Sequence, residues 1–532
     1  MVLLIFFLLY FVLFSLTCYL LFPKLDIDPV KGLIPVVNVM EISNKVGRSK
    51  WYGALSIVPI VGIFITTGLA VALVRSFGKY SFGEAAKAVV FAPLSFYQLA
   101  KDDRARYKEP ILTAERAYLD KIKAAKKAGH EKKLASLIKK NPYKKSIGRE
   151  WFESIFFAVF AAAFIRMFLI EAYVIPTPSM EGSMLVGDFL FVSKSSYGIR
   201  TPQTIAMVPL LHNRVPKLGT ESYLKRPKLP YYRFPAIREI KNGSPIVFNW
   251  PVGDSVYITK KRSYTLGQVR RQPEFMQSDP ELVQKIQKED FVVRPMDKKD
   301  HYIKRAIGIP GDSVRITDGQ VYVNGVASEN PEHLQFMYLL QGNAQGINQR
   351  KLNEWGIEAG DAWGRPGQGG YFLDQRQVEQ LQSAGSDLNL IRIPNDPSPK
   401  RLFPHDPEHF PDWSVDDYGP IYIPQKGATT PINKSTIALY KKLITDYEHN
   451  TLEERDGQFF INGELTEEYT FKQDYYWAMG DNRHNSEDSR MWGFVPHDHL
   501  VGRPLLIWFS TKGGSIFNGL RRDRLFKPAG NI

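Results

Sequence analysis

Up to about residue 175 the apolar residues of this chain come in long, nearly unbroken runs; beyond it they come in short runs broken by Gly, Pro and Asp. Long runs predict helices able to cross a bilayer, which takes roughly 20 apolar residues. Residues 1–22 form such a run. It has no basic leader and no Ala-x-Ala-like end, so it reads as an anchor and not as a removable signal peptide. Lys24, Lys31, Lys45, Arg48 and Lys50 come after it and place its C-terminal end in the cytoplasm. Residues 52–74 read as a second span. Residues 85–99 are apolar but short and carry Lys87 and Pro93, which fits a third span, a re-entrant piece or a surface helix. Residues 152–174 read as the last span, with Arg166 and Glu171 in its outer half, placed to pair or to snorkel.

The short runs predict antiparallel β structure: Phe189 to Val192, Ile246 to Phe248, Tyr302 to Ile307, Val321 to Val323, Phe459 to Ile461 and Leu505 to Phe509. Two stretches echo each other, Asp318-Gly319 through Asn324-Gly325 and Asp456-Gly457 through Asn462-Gly463. Asn-Gly is a strong hairpin signal, so either convergence on a good hairpin or a local duplication explains the likeness. The residues between them read differently, with Gly-rich turns from Gly364 to Gly370, a Pro-rich stretch from Pro394 to Pro411 and a helix at 434–448. In that helix Ile437, Leu439, Tyr440, Leu443, Ile444 and Tyr447 approximate one stripe, which suits packing better than a partner groove. Residues 198–240 form a second irregular insert, rich in Pro and basic residues.

These patterns divide the chain into a membrane region over 1–99, a basic loop over 100–151, an anchor over 152–174, a β-rich domain over 175–330 and 456–532, and an inserted α+β subdomain over 331–455. Charge supports the division. Lys and Arg exceed Asp and Glu by 69 to 55. Residues 101–150 alone hold 16 Lys/Arg against 7 Asp/Glu. Between apolar segments this reads as a cytoplasmic loop under the positive-inside rule, and the last helix then delivers the β-rich portion to the outside. Nucleic-acid binding is the weaker reading, because the block has no interleaved aromatics and no groove-reading motif. Cys18 is the single cysteine and lies in an apolar run, so neither a disulfide framework nor a Cys-based metal site can be built.

The candidate chemistry sits in three segments. Gly480-Asp481-Asn482-Arg483-His484-Asn485-Ser486-Glu487-Asp488-Ser489-Arg490-Met491-Trp492-Gly493-Phe494-Val495-Pro496 packs charges, amides and hydroxyls more densely than a plain loop needs. Pro176-Thr177-Pro178-Ser179-Met180 comes just after the last apolar run, and Tyr302 to Asp312 carries Lys304. A serine nucleophile needs a base. None of the outer histidines (His212, His301, His333, His405, His484, His497) has a Gly-x-Ser-x-Gly context, although His484 and His497 lie near enough to the dense loop to leave a Ser-His pairing open. A lysine serves if burial lowers its pKa toward the working pH. On a strand, Tyr302, Lys304, Ala306 and Gly308 share one face, and the small residues leave room for another chain beside the amine. Lys304 could equally be a surface lysine beside a surface arginine, and Ser179 an interfacial loop residue. The hydroxyl of Thr177 could join the Ser179 N–H in binding an oxyanion.

In this order, behind a helix with its N-terminus inside, the segments resemble the bacterial type I signal peptidases, membrane-anchored Ser/Lys endopeptidases. The family's first motif is approximately Pro-Ser-x-Ser-Met-x-Pro-Thr-Leu, against Pro176 to Met184 here, with Gly187-Asp188 just beyond. The lysine motif, Tyr302 to Asp312, and the last motif, Gly480 to Pro496, match throughout, and Gly243 to Phe248 is a weaker fourth match. The long insert, the extra N-terminal spans and the wording Tyr475-Tyr476-Trp477-Ala478-Met479-Gly480 look most like Bacteroidetes-type members.

The resemblance implies a mainly-β, membrane-anchored fold and removal of signal peptides from exported preproteins at the outer face of the cytoplasmic membrane. It makes Ser179 the nucleophile, Lys304 the general base, Ser486 the group orienting the amine, and Thr177 with the Ser179 N–H the oxyanion hole. Asp481 with Arg305 and Asp488 with Arg490 become structural ion pairs, and Gly480 permits close packing near the lysine. No metal or organic cofactor is expected. The expected partners are preproteins, the lipid bilayer and the secretion translocon, with no nucleic acid. Pro178, Gly182-Ser183 and His484 depart from the family pattern and leave subsite details open. A narrow-client processing peptidase and a non-catalytic envelope scaffold are the alternatives.

Overall fold

The computed structural model describes residues 2–529 apart from 59–60, 254, 272–273, 343–346, 358–361, 364–368 and 384–387. The chain forms two compact units, Met1–Ala158 and Val159–Ile532.

The first unit is helical. Helices Val2–Leu21, Val61–Ser76 and Phe82–Lys101 share a core that includes Cys18, Phe22, Ile42, Leu69, Leu73 and Phe96. The apolar stretch 52–74 is not one helix. It holds the short Lys50–Ala54 and the longer Val61–Ser76, with Pro59, which cannot donate to a helical ladder, between them. Residues 85–99 lie within the 20-residue helix Phe82–Lys101. This helix kinks at Phe91, where φ is −153° and ψ is 81°, two residues before Pro93. Lys24 Nζ caps its far end, donating to the carbonyls of Leu99 at 3.0 Å and Asp102 at 2.7 Å. Among the described residues, Leu8–Leu25 and Ile147–Phe168 are long and apolar enough to cross a membrane.

The expected anchor at 152–174 is corrected. Its helix is Ile147–Phe168, and Ile170–Val174 is a strand paired antiparallel with Asp188–Ser193. A short apolar run does not by itself distinguish helix from strand. Here the strand lets the buried Glu171 carboxylate meet Arg166 and Lys194, each at 2.8 Å, and accept from the Tyr173 hydroxyl at 2.7 Å.

The second unit is built on one antiparallel sheet. Its strands run in the order Ile170–Val174, Asp188–Ser193, Leu500–Ser510, Ser244–Asn249, His301–Gly308, Tyr475–Met479 and Val495–Pro496. Strands far apart in the chain are thus neighbours in space, and the turns between them carry the polar motifs. The echoed stretches form matching three-stranded meanders, 313–327 and 452–465. Each turns at Asp-Gly and again at Asn-Gly with positive φ at all of Asp318, Gly319, Asn324, Gly325, Asp456, Gly457, Asn462 and Gly463. Those φ values are the ones tight two-residue hairpin turns require.

Segment 331–455 does not fold as one insert. Phe336–Gln341, Ala362–Trp363, Gly369–Leu373 and Asn389–Arg392 make a separate four-stranded sheet with its own core of Leu352, Ile357, Tyr371, Leu373 and Leu381. The later part joins the larger core: Tyr418–Tyr422 pairs with Ser313–Thr317, and Leu402, Phe403, Tyr440 and Ile444 pack with Trp477 and Phe494. Composition marks the whole stretch as irregular, but apolar side chains reaching back to a distant core leave no local signature. The expected helix at 434–448 is Lys434–Lys442 continued by a wider turn over Leu443–Tyr447, with Leu439, Tyr440, Leu443 and Ile444 buried. Of the Gly-rich turns, 364–368 lie outside the described residues, and Gly369–Gly370 open a strand.

Candidate active site

Lys304 is held from both sides. Its strand pairs with Ser244–Asn249, where Ile246 faces Lys304, and with Tyr475–Met479, where Ala478 faces Ala306. The residue is 2% exposed. Its amine lies 2.6 Å from Ser179 Oγ and donates to the carbonyl of Ile303 at 2.9 Å. Burial pulls the ammonium down from 10.5 to about 8, against the opposing pull of Asp488, Asp481 and Glu487. At pH 8 about half the amines are therefore neutral, against roughly 0.4% for an ordinary lysine. The small residues on its face do not make room for another chain. A Cβ on Gly308 would lie 2.6 Å from Val314 Cγ2 and 2.9 Å from Ile423 Cγ1, so that space is already filled.

Ser179 sits in a single tight turn, Pro178–Met180, that leaves the first strand of the sheet. Pro178 fixes the entry to the turn, and Met180 and Met184 anchor it in a small core with Ile175, Leu190 and Ile507. Thr177 is extended and exposed on the approach, and its side chain does not cap the turn. The N–H of Ser179 makes no hydrogen bond among the described residues.

The loop 480–490 closes the site through buried polar contacts. A Cβ on Gly480 would fall 2.3 Å from Ser486 Oγ and 2.4 Å from the Ser179 carbonyl oxygen, so only glycine permits this approach. The next N–H but one, that of Asn482, donates to the same carbonyl at 3.3 Å. Arg305 grips Asp481 with two bonds of 2.7 and 2.9 Å, and reaches Ser183 Oγ at 3.0 Å and the Gly243 carbonyl at 3.1 Å. Arg490 grips Asp488 at 2.9 and 2.7 Å, and Asp488 also accepts from the Gly480 N–H at 3.1 Å. Removing one partner of such a buried pair typically costs about 3–5 kcal/mol, because the other charge is stranded.

The geometry thus gathers Ser179, Lys304, Arg305, Gly480, Asp481, Asp488 and Arg490. It does not join Ser486 to the lysine. The Ser486 hydroxyl is buried against Gly480, and the hydrogen bonds of the amine go to Ser179 and Ile303. The histidines are likewise engaged elsewhere. His484 is bonded to Asp416 and to the N–H of Met337, and burial pushes His497, 3.3 Å from the Tyr476 hydroxyl, down to about 4.

Sequence reasoning missed the residues that press on this site from outside the motifs. Gln335 donates its N–H to the Asp481 carbonyl at 3.0 Å and accepts from the Arg483 N–H at 2.9 Å. His333 packs on Gly182, where a Cβ would lie 2.5 Å from its own Cβ. The available signal was the set of departures from the family pattern: Gly182, with φ +89°, stands where a proline is usual, and a proline could adopt neither that φ nor that contact.

A buried amine at hydrogen-bond distance from a serine, beside a loop that glycine lets approach closely, is the arrangement a serine hydrolase of the Ser/Lys kind requires. Residues 148–361 and 421–509, more than half the chain, match the family described as signal peptidase, peptidase S26. The chain belongs to that family, and is a serine endopeptidase of signal-peptide cleavage. It is similar to signal peptidase I of Buchnera aphidicola, 22% identical over 72% of this chain and 80% of that protein. It is similar to signal peptidase I of Helicobacter pylori, 23% identical over 68% and 82% of the two chains. With signal peptidase I of Pseudomonas aeruginosa it is 26% identical over 42% of this chain and 57% of that protein. Residues 30–110 match a family of unknown function.

Proposed function

We propose that Ser179 and Lys304 are the nucleophile and general base of a signal peptidase I that cleaves exported preproteins at the outer face of the cytoplasmic membrane. The observation that carries this is the 2.6 Å approach of the buried Lys304 amine to Ser179 Oγ. Neutral Lys304 takes the hydroxyl proton as Oγ attacks the scissile carbonyl. The Ser179 N–H and the Thr177 hydroxyl receive the oxyanion. The ammonium then protonates the leaving amine, and the acyl group stays on Oγ as an ester. Water, deprotonated by the same amine, attacks that ester and Oγ recovers its proton. In this reading Ser486 acts by filling the space behind Gly480 and the lysine, and the two Arg–Asp pairs keep the loop in place.

The placement at the membrane rests on charge and hydropathy. Ile147–Phe168 is apolar and has no buried residue, and the basic block 101–150 precedes it. With that block inside, the β unit emerges outside, and Ser179 follows the helix after the one strand Ile170–Val174. The Leu8–Leu25 stretch supplies a second span, which makes the chain multi-pass. Exported preproteins, the bilayer and the secretion translocon are the partners this implies. The test is cleavage of a preprotein by the purified full chain, with sequencing of the product N-terminus. Wild-type protein should release one new N-terminus and Ser179→Ala none; appreciable cleavage by Ser179→Ala rules the assignment out.

A further inference from the structure

The separate sheet inside the catalytic unit is not a bystander: its first strand and the segment before it touch the loop behind the dyad at successive residues. Gln335 bridges Asn482 in parallel register. Two residues on, the N–H of Met337 donates to His484 Nδ1 at 3.1 Å. That bond fixes the tautomer, since Nδ1 must offer its lone pair, so Nε2 carries the hydrogen. Nε2 donates to Asp416, 2.9 Å from one carboxylate oxygen and 3.0 Å from the other. Both side chains are buried, His484 3% exposed and Asp416 5%. Phe336 meets the imidazole edge-on at 5.3 Å between centroids, Arg392 stacks over Phe336 at 4.0 Å, and Arg392 Nη2 is 3.4 Å from Asp416. His484 thus ties three chain segments into one contact, and the loop it belongs to holds the Ser179 carbonyl through the Asn482 N–H.

We propose that His484 is a positioning residue for the Ser179–Lys304 reaction: with Asp416 and the Met337 N–H it locks the small sheet onto the loop 480–486 and so sets where that loop holds the nucleophile. This rests on the reading of Ser179 and Lys304 as the dyad. His484 does not touch the substrate. Its effect passes through Gln335, Asn482 and Gly480 to the serine turn, and His333 packs on Gly182, two residues past that turn. A displacement of about 1 Å at a reacting centre can cost on the order of a hundredfold in rate.

The test is a charge-pair exchange in the full chain, with preprotein cleavage giving kcat and KM separately. His484→Asp sets two buried carboxylates against each other and should lower kcat about tenfold or more with KM within about twofold. Asp416→Asn should lower it about threefold or less, because the amide oxygen still accepts from Nε2. Combining His484→Asp with Asp416→Asn restores a matched contact. The carboxylate then at position 484 still accepts from the Met337 N–H and faces a neutral amide in place of a second charge, and kcat should recover to within about threefold of wild type. If His484→Asp does not fold, the double variant and Asp416→Asn still carry the test, because a double variant that folds and is active at those levels supports the lock. Full activity in His484→Asp overturns the proposal. So does a double variant that melts with the wild type and is as slow as His484→Asp. Wild-type cleavage and the inactive Ser179→Ala are measured alongside; if wild type itself cleaves nothing, the dyad reading has failed and not this one.

Discussion

Lys304 and Lys442 lie in the same folded unit, and removal from water pulls both amines to about 8. Their neighbours differ. Lys304 points at a serine hydroxyl 2.6 Å away. Lys442, half-buried on a helix, has its amine 5.5 Å from the Tyr447 ring centroid and makes no hydrogen bond among the described residues. A lowered pKa therefore marks a candidate and does not select one; the hydroxyl within reach does. The difference also shows what the strand His301–Gly308 supplies. Paired on both edges, it buries an amine that makes no salt bridge among the described residues, so that only more distant carboxylates favour its charge. Lys194, in the same unit, shows what a carboxylate changes: burial lowers its pKa too, but Glu171 at 2.8 Å opposes that shift and favours the charged form.

The sharpest way to break the comparison is to remove each amine. Lys304→Met should abolish preprotein cleavage, a loss of about a thousandfold or more, while Lys442→Met should stay within about threefold of wild type. The pH profile sharpens it. With Lys304 near 8, the active neutral amine is lost as pH falls, so kcat/KM should drop about tenfold per unit below pH 7. Lys442→Met should keep that limb unchanged. Cleavage by Lys304→Met, or a wild-type profile that stays flat down to pH 6, would remove the neutral amine from the mechanism.

A smaller loss is expected from the loop. Gly480→Ala drives a methyl into the Ser179 carbonyl and the Ser486 hydroxyl, and should slow cleavage on the order of a hundredfold by shifting the serine off the amine. Thermal midpoints measured on the same preparation separate a moved nucleophile from a lost fold. Unchanged kinetics in Gly480→Ala would mean that the serine turn and the loop are not in rigid contact.

Legibility in the sequence differs between strand and clamp. The strand through Lys304, both meanders and both Arg–Asp pairs can be read from the chain, because each depends on neighbours in sequence or on a motif whose parts constrain one another. The motif also suggests a Ser486–Lys304 bond, but the serine packs against Gly480 instead, and a motif does not encode a rotamer. Ile170–Val174 reads as helix because apolar residues suit either form, and what decides, the pairing with 189–193, is non-local. The reach of Tyr418 and Tyr440 into the main core is hidden for the same reason. The clamp on His484 is hidden too, since Asp416 and Met337 are distant along the chain, yet Gly182 and His484 point to it. Both depart from the family pattern, and both are where the small sheet and the segment before it make contact.

The smallest effect is on stability, and its sign separates the two lysines again. An unfolded lysine keeps its proton up to about 10.5, whereas folded Lys304 keeps it only to about 8. Between those values the unfolded state binds more protons, so stability rises with pH across that window. Below about 8 both states are protonated and the folded protein bears the whole cost of a buried ammonium, at most about 3 kcal/mol from a shift of that size. Methionine has a similar volume and no charge, so Lys304→Met should raise stability at pH 7 by roughly 1–3 kcal/mol and flatten the slope between pH 8 and 10.5. Lys442→Met should gain less, because the residue is only half-buried and solvent screens part of the cost. Urea midpoints of the full chain in detergent micelles across that range would measure both. A Lys304→Met protein less stable than wild type at pH 7 would show that the amine is held by favourable contacts and not merely confined, and the reason for its low pKa would have to be sought elsewhere.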